Sequence, residues 1–188
     1  MIKILVTGAG STLGLSIISA IKSSKIDTFI IGADYIENSA GLFKVKKGFL
    51  LPDILKQNVK EQKWFSAIKK IILNEQIDLI LIGLDFELKL FAKYKDELEK
   101  NSKVKVLVSS LDLINICTDK WLTHEFLKKN NFDVPNSCLP EKIHSFKKRI
   151  PFPWIIKPRN GSTSKNLFKV SSLKDAEDVL QKCPNPII

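Results

Sequence analysis

Lysine, arginine, glycine and small hydroxyl residues are concentrated between Lys157 and Lys165, in the sequence Lys-Pro-Arg-Asn-Gly-Ser-Thr-Ser-Lys. An apolar run, residues 153–156, precedes this segment, and a second β-like run, residues 167–170, follows it. Glycine and small hydroxyl residues let a backbone pass close to phosphate oxygens, and the terminal lysines supply positive charge. Arg159 could hold a phosphate through two hydrogen bonds of its planar guanidinium group. The segment therefore predicts a phosphate-binding loop for a nucleoside triphosphate.

A glycine turn near the N-terminus is a second candidate. The sequence Thr7-Gly-Ala-Gly-Ser-Thr-Leu-Gly14 follows an apolar run, residues 2–6, and precedes a helical pattern. Backbone N–H groups at such a turn can bind an anion, and Asp34 lies where a dinucleotide-binding fold places its ribose-binding acid. The GxGxxxG spacing resembles the short-chain dehydrogenase fingerprint only in part, and the chain has no Tyr-x-x-x-Lys pair. A tight turn that binds nothing is an equally open alternative.

Two carboxylates, Asp85 and Glu87, follow another apolar run, residues 78–82. Ligands in open α/β sheets bind beyond the carboxyl ends of strands, where two carboxylates could hold a substrate ammonium group. In the alternative, Asp85 caps the next helix and Glu87 stabilises its first turn. Both alternatives stay open from the sequence.

A helix is predicted to begin at the sequence Thr118-Asp119-Lys120, with Thr118 or Asp119 as its N-cap, and to end at Asn130-Asn131. A lysine in the first turn opposes the helix dipole, whereas a bound phosphate would favour it. Lys120 is therefore a candidate phosphate ligand, with a solvated lysine as the alternative. His124 lacks partners at ligand or triad spacing, and we interpret it as a surface or filler residue.

The elements that position these residues follow two patterns. In residues 1–112, continuous apolar runs alternate with amphipathic helical patterns, which predicts an α/β fold with a doubly wound parallel sheet. Residues 113–188 begin with a helix, pass through a proline-containing stretch and the strand–loop–strand segment, and then form a helix capped by Ser172. The final residues, Ile187-Ile188, start a further apolar run. We therefore expect a second domain of mixed α and β structure.

The composition bears on the class of protein. No apolar run approaches the ~20 residues that cross a bilayer, and the N-terminus does not resemble a signal peptide. The cysteines, Cys117, Cys138 and Cys183, are too few and too widely spaced to indicate disulfides or a zinc site, so we expect a cytoplasmic protein. The net charge of +10 comes from scattered lysines without interleaved aromatic residues, which argues against a nucleic-acid partner. Since Arg149 and Arg159 are the only arginines, chance is the alternative explanation for Arg159 in the loop.

Taken together, these residues resemble the ATP-grasp superfamily, and specifically proteins similar to the large chain of carbamoyl-phosphate synthase. Residues 1–112 resemble its pre-ATP-grasp, Rossmann-like domain, and residues 113–188 resemble the first, incomplete α+β part of an ATP-grasp domain. The segment from Cys117 to Pro135 is similar to the family's first helix and the turn after it. The segment from Ile155 to Lys165 is similar to its Lys-Pro-Arg-x-Gly-Ser-x-Ser-Lys phosphate loop. Asn166 stands where relatives often have glycine.

The resemblance implies that ATP phosphorylates a carboxylate and that an amine or other nucleophile then attacks the acyl phosphate. Positive side chains that neutralise the transferred phosphoryl group do most of the work in such reactions. The residues predicted to contact ATP are Lys120, Lys157, Arg159, Gly161, Ser162, Thr163, Ser164 and Lys165. The residues predicted to contact the substrate are Gly8, Gly10, Ser11, Thr12, Asp34, Asp85 and Glu87.

In this family the adenine-contacting hinge and the magnesium ligands follow the region that the chain resembles. We therefore expect the Mg²⁺ ligands beyond Ile188, no metal site or catalytic residue within the chain, and no ligase turnover from these residues alone. The implied partners are small-molecule carboxylate and amine substrates, without nucleic acid or membrane, and a homodimer stays open. The alternatives are an NAD(P)- or small-molecule-binding module without catalysis, and an interaction protein whose loops bind no nucleotide.

Overall fold

The chain contains two compact units, Met1–Leu111 and Asp112–Ile188. A computed structural model describes residues 1–100, 102–161 and 164–188. The division into domains 1–112 and 113–188 stays a prediction, because compactness alone does not show that a unit folds independently. No helix among the described residues has both the length and the apolar character that crossing a membrane requires.

The first unit alternates strands with helices. Its elements are β1 (Ile2–Thr7), α1 (Thr12–Ser23), β2 (Thr28–Asp34), a short 3-10 turn (Leu42–Lys44), β3 (Lys47–Leu50), α2 (Glu61–Glu75), β4 (Leu79–Ile82), α3 (Asp85–Glu99) and β5 (Lys105–Val106). The strands form one sheet in the order β3-β2-β1-β4-β5, and all neighbouring strands are parallel. The predicted α/β fold with a parallel sheet is confirmed.

Both faces of this sheet are covered, because successive residues of a strand point to opposite sides. Leu5 of β1 packs into a cluster with side chains of α2 and α3, among them Trp64 and Phe91, whose rings meet edge to face at 4.8 Å. Val6, the next residue, packs on the opposite face with Ile18 of α1. The strand order reverses between β1 and β4, and such a reversal is where open α/β sheets bind ligands.

The apolar run from Val104 to Val108 predicts a strand, and the strand in the structure is shorter than this run. Strand β5 covers only Lys105–Val106 and pairs with β4 alone. It lies at the edge of the sheet, and Leu107, directly after it, is exposed. An apolar pattern cannot show where an edge strand leaves its neighbour, because strand ends are the least certain part of such a prediction.

The second unit combines helices with a small antiparallel sheet. Its elements are α4 (Leu111–Thr118, beginning at the boundary), α5 (Lys120–Lys129), a 3-10 turn (Pro140–Lys142), α6 (Ile143–Lys147), β6 (Trp154–Pro158), β7 (Phe168–Val170), α7 (Leu173–Leu180) and β8 (Pro186–Ile187). Strand β6 is central and pairs antiparallel with β7 and β8. This sheet confirms the expected α+β part, and Ser172 caps α7 as predicted.

Strand β6 presents alternate side chains to two different surroundings. Trp154 and Ile156 are buried in a core with residues of α6, β7 and α7. The Trp154 ring packs against Phe146 of α6 with ring centroids 5.2 Å apart. Ile155 is 42% exposed, and Lys157 is half-buried. The core residues therefore hold the strand in place while Ile155 and Lys157 face the opposite side.

Candidate functional site

The N-terminus of helix α5 is capped by the side chain of Asp119. Its Oδ1 accepts hydrogen bonds from the backbone N–H groups of Trp121 at 2.8 Å and Leu122 at 3.2 Å. Of the two predicted caps, Asp119 is therefore the one that the structure shows, while Thr118 ends helix α4. The cap makes Lys120 the first residue of α5, the position where a positive charge opposes the helix dipole.

A two-point ion pair joins this cap to the loop after β6. Arg159 Nε donates to Asp119 Oδ1 at 3.1 Å, and Arg159 Nη2 donates to Asp119 Oδ2 at 2.7 Å. Burial raises the pKa of Asp119, but hydrogen bonds from Arg159 and from two backbone N–H groups outweigh it and hold that pKa below its usual range. Arg159 thus has a partner that the sequence did not indicate. Its predicted contact with phosphate stays a prediction.

The Lys120 ammonium group lies among backbone carbonyl groups of the same loop. Its Nζ donates to the carbonyl oxygens of Pro158 at 3.0 Å, Arg159 at 3.3 Å and Gly161 at 3.0 Å. The backbone N–H of Lys120 also donates to the Arg159 carbonyl, at 3.0 Å. A lysine has three donors on Nζ, and here each has a carbonyl partner. A phosphate that binds Lys120 would therefore replace at least one of these carbonyl groups.

Two neighbouring cavities share Lys120 and Lys157. The larger, which we call the apolar cavity, has a volume of about 450 Å³ and lies along α5, residues 134–137, β6 and β8. The smaller, which we call the loop cavity, has a volume of about 200 Å³ and is lined by polar and basic residues of the loop after β6, including Lys165. An apolar cavity that continues into a basic one suits a ligand with a flat ring and an anionic tail.

The predicted phosphate ligands lie partly in this arrangement. Lys120, Lys157, Gly161, Ser164 and Lys165 line the loop cavity. Ser162 and Thr163, also predicted to contact phosphate, lie outside the described residues. The structure thus brings five of the predicted residues together, and their contact with a phosphate stays a prediction.

Besides Lys120, helix α5 contributes three cavity residues that the sequence did not indicate as part of a site. Lys120, Thr123, His124 and Leu127 all line the apolar cavity. Counted from Lys120, these residues lie at positions i, i+3, i+4 and i+7, so they share one face of the helix. The sequence indicated a surface or filler residue at His124, which lines the cavity and stacks on the Trp121 ring with ring centroids 5.3 Å apart. The helical spacing from Lys120 was the signal that could have identified this face.

The backbone of the loop adopts a conformation that favours glycine. Gly161 has φ of 127°, and Ser164 and Asn166 each have φ of 56°, in the left-handed region. Asparagine tolerates this region better than most residues with a side chain. Asn166 therefore meets the same backbone requirement as the glycine that relatives often have there.

Replacement of Asn166 should reveal this requirement. We expect Asn166→Gly to leave the free energy of unfolding within about 0.5 kcal/mol, and Asn166→Val to lower it by about 1–2 kcal/mol, because a β-branched residue resists left-handed backbone. Urea denaturation of the chain measures both. Asn136→Val, at an exposed position without a positive φ, is the matched control. If Asn136→Val and Asn166→Val lowered the free energy of unfolding equally, the left-handed backbone at position 166 would not be what disfavours valine there.

Three backbone donors of the glycine turn have partners within the first unit. The N–H of Gly10 donates to Asp34 Oδ2 at 2.7 Å, that of Ser11 to the Gly8 carbonyl at 2.9 Å, and that of Gly14 to Ser11 Oγ at 2.9 Å. An anion at the turn would have to replace these partners in order to bind these three N–H groups. The geometry therefore favours a structural turn. Substrate contact stays a prediction for the four turn residues Gly8, Gly10, Ser11 and Thr12.

Asp34 and Glu87 are buried rather than presented to solvent. Besides the Gly10 contact, Asp34 accepts the N–H of Ile36 through Oδ1 at 3.0 Å, so both of its oxygens are engaged. Glu87 Oε1 accepts the indole N–H of Trp64 at 3.2 Å. Burial is the main cause that raises the pKa of Glu87 to about 7, and the charge of Asp34 contributes to this rise. Their predicted contact with substrate stays a prediction.

Three buried polar atoms lie near these strand ends. Among the described residues, the buried side-chain oxygen and nitrogen atoms without a hydrogen-bond partner are Thr7 Oγ1, Ser39 Oγ and Glu87 Oε2. Asp85, the other predicted carboxylate, is the exposed first residue of α3, and the N-cap position belongs to Leu84. The alternative in which Asp85 caps the helix is therefore wrong, while Glu87 does lie in the first turn.

No group of three or more acidic, histidine or cysteine side chains in the described part of the chain could hold a metal ion. These residues therefore do not fit a Mg²⁺ site, and the chemistry proposed below includes no step through one. The expectation of magnesium ligands outside this chain stays an expectation.

Comparison with known proteins finds a domain match and a related protein. Residues 117–188 match the ATP-grasp domain. Over 117 residues the chain is 26% identical to the carbamoyl-phosphate synthase of Methanobrevibacter smithii, an alignment that covers 61% of this chain and 32% of that protein. The chain therefore spans about a third of the length of this relative.

Solved structures share the fold. N5-carboxyaminoimidazole ribonucleotide synthetase from Thermotoga maritima is 20% identical, with a TM-score of 0.66, over 100% of this chain and 45% of that one. L-amino acid ligase from Bacillus licheniformis is 13% identical, with a TM-score of 0.71, over 100% and 43%. N5-carboxyaminoimidazole synthetase from Staphylococcus aureus, solved with ADP, is 16% identical, with a TM-score of 0.70, over 99% and 46%. Residues 117–188 thus match an ATP-grasp domain, the chain is similar to carbamoyl-phosphate synthase, and its fold is that of these solved ligase structures.

Proposed function

We propose that this chain forms the ATP-binding portion of an ATP-dependent carboxylate ligase similar to carbamoyl-phosphate synthase. One observation carries the proposal, namely that Lys120 and Lys157 lie between an apolar cavity and a basic loop cavity. In the proposed complex the adenine ring occupies the apolar cavity, and the phosphates occupy the loop cavity. The S. aureus relative solved with ADP supports a nucleotide ligand.

The apolar cavity suits the flat base because aliphatic and aromatic side chains supply most of its walls. Leu127 of α5, Ile155 of β6 and Ile187 of β8 contribute to its lining. Ile155 is available because β6 turns it away from the core. Contact with such side chains favours a ring through burial of apolar area, while the position of the phosphates sets its orientation.

Positive charge favours the phosphates in the loop cavity. Lys157 and Lys165 line it together with Lys120. Among the described residues, Lys157 Nζ has no hydrogen-bond or ion-pair partner, so it can contact a phosphate without breaking an existing bond. A lysine ammonium group neutralises charge on the transferred phosphoryl group, which lowers the barrier to transfer.

The proposed reaction has two steps. A substrate carboxylate oxygen attacks the γ-phosphorus of ATP, and the bond between this phosphorus and the oxygen that bridges it to the β-phosphate breaks. The products of this step are ADP and an acyl phosphate. An amine then attacks the acyl carbon and loses a proton, and inorganic phosphate leaves. Within this chain, the lysines of the loop cavity would hold the phosphates during the first step. The carboxylate and amine, a homodimer and a cytoplasmic location are proposals for the whole protein, because the chain spans less than half of each compared relative.

The first unit gives no support to the NAD(P)-binding alternative. Both oxygens of Asp34, the candidate ribose ligand, accept backbone hydrogen bonds within the unit. The N–H groups of Gly10, Ser11 and Gly14 in the glycine turn have internal partners as well. A ligand would have to displace these contacts before it could bind.

Lys157→Ala tests the proposed ATP site. We expect the Kd for ATP to rise ~10-fold, because the substitution removes a charge-assisted contact, and the Kd for adenosine to change less than ~2-fold. Titrations followed by NMR chemical shifts measure both ligands, including weak binding. Lys174→Ala, on the exposed surface of α7, is the matched control. An unchanged ATP affinity in Lys157→Ala would contradict the proposal.

A further inference from the structure

The Asp119–Arg159 ion pair connects the two elements that carry the phosphate-binding lysines. Asp119 directly precedes Lys120 at the start of α5, and Arg159 follows β6, the strand that carries Lys157. The two side chains are 12% and 22% exposed, so water screens the pair only in part. Both oxygens of the carboxylate contact the guanidinium group, which fixes its direction as well as its distance.

The backbone of Arg159 is held at the same time. Its N–H donates to the Asn185 carbonyl at 2.9 Å, next to β8. Its carbonyl oxygen accepts from both the backbone N–H and the Nζ of Lys120. Arg159 is thus fixed through its side chain, its N–H and its carbonyl, and two of these contacts lead to Asp119 and Lys120. A shift of Arg159 would move the carbonyl groups that locate the Lys120 ammonium group.

The charges also favour an indirect role for Arg159. Its guanidinium group is paired with a carboxylate whose oxygens point at it from 2.7 and 3.1 Å. A phosphate would have to compete with this carboxylate for two-point binding. Lys120, in contrast, has only neutral carbonyl partners, which a phosphate can replace with a stronger charge-assisted contact.

We propose that Asp119 and Arg159 are positioning residues that place Lys120 for contact with phosphate, and that Arg159 does not itself bind phosphate. The inference rests on the proposed ATP site and deepens it. It differs from the sequence prediction, which places Arg159 among the phosphate ligands. Both roles predict weaker ATP binding after substitution, so the test must distinguish an effect through Lys120 from a direct contact.

Arg159→Lys is the informative variant, because it keeps the positive charge and loses the two-point geometry. We expect its Kd for ATP to rise ~5- to 10-fold while its Kd for adenosine stays within ~2-fold of the unsubstituted chain. If Arg159 acted only in folding, the substitution would weaken the binding of ATP and of adenosine to the same extent. Asp119→Asn should behave like Arg159→Lys, because asparagine retains the N-cap acceptor but not the charge. Arg149→Lys, at the only other arginine, is the matched control.

The decisive comparison uses Lys120→Ala as a background. If Arg159 acts through Lys120, Arg159→Lys adds less than a ~2-fold loss of ATP affinity once Lys120 is absent. A further ~5-fold or greater loss would show direct contact with phosphate and overturn the inference. Unchanged ATP affinity in Arg159→Lys alone, or parallel losses for ATP and adenosine, would overturn it as well.

Failure of the proposed ATP site would look different. In that case the unsubstituted chain shows no ATP binding, or Lys157→Ala binds ATP as well as the unsubstituted chain does. Either result overturns both the site and the positioning role. If only the positioning role fails, Lys157→Ala still weakens ATP binding and Arg159→Lys does not.

Discussion

Glu87→Gln is expected to remove a pH-dependent loss of stability from the first unit. Burial raises the pKa of Glu87 from the ordinary 4.5 to about 7, so the folded unit binds this proton more tightly than the unfolded chain does. The resulting stabilisation is fully present below about pH 4.5 and is lost as the pH rises through about 7. The full difference corresponds to about 3 kcal/mol in the free energy of unfolding.

Glutamine keeps the size of the side chain and an oxygen that can accept the Trp64 indole N–H, but it carries no ionisable proton. We therefore expect the variant to resemble the unsubstituted chain near pH 5 and to exceed its stability by up to about 3 kcal/mol near pH 8. Urea unfolding followed by hydrogen-exchange labelling of β1 and β4 reports on the first unit separately.

The control is Glu37→Gln, at an exposed position of the same unit. Its difference from the unsubstituted chain should not change across the same pH range. Parallel stability curves for Glu87→Gln and the unsubstituted chain would show that Glu87 does not hold a proton in the neutral range.

Gly14→Ala is expected to destabilise the first unit by about 3 kcal/mol. A methyl group at Gly14 would overlap the carbonyl group of Gly8, which is backbone and cannot rotate away. Gly8 has φ of 54° and its carbonyl accepts the Ser11 N–H, so the turn has little freedom to move. The expected loss of stability is opposite in sign to the usual effect, because replacing glycine by alanine within a helix ordinarily stabilises a protein by about 0.5–1 kcal/mol.

Gly48→Ala is the matched control for this substitution. A methyl group there would meet side-chain atoms of Leu42 at 3.3 and 3.4 Å, and a leucine side chain can adjust. We expect a change within about 1 kcal/mol, measured by the same unfolding experiment. A neutral or stabilising Gly14→Ala would show that the turn can move, and would reopen it as a ligand site.

The glycine turn also shows where sequence-based prediction reaches its limit. The spacing correctly indicates a strand, a tight turn and a helix, because glycine is needed for close backbone approach in a structural turn and in an anion site alike. The feature that distinguishes a structural turn from an anion site here is the hydrogen bond from the Gly10 N–H to Asp34, a residue 24 positions away in the sequence. The start of helix α5 was easier to predict, since Asp119 and the first turn that it caps are neighbours in sequence.

Contacts between distant residues account for most of what the sequence did not reveal. Arg159 and Asp119 are 40 residues apart, and the residue types alone suggest a phosphate for Arg159 rather than a carboxylate. The burial of Glu87 was equally hidden, because an acid in the first turn of a helix is ordinarily explained by the helix dipole. Only the packing of α3 against α2 and the sheet reveals its surroundings.

The alternation along β6 has a consequence for how this chain could acquire new ligand preferences. Core packing and cavity lining are divided along one short strand. Ile156 belongs to the core, Ile155 and Lys157 line the cavities, and Trp154 takes part in both. Variation at position 155 should therefore change which ring the cavity accepts without loosening the scaffold. Substitutions at position 155 can therefore change ligand preference during evolution while the fold is kept. The same substitutions at positions 154 or 156 would disturb the core and would be eliminated because the chain folds poorly.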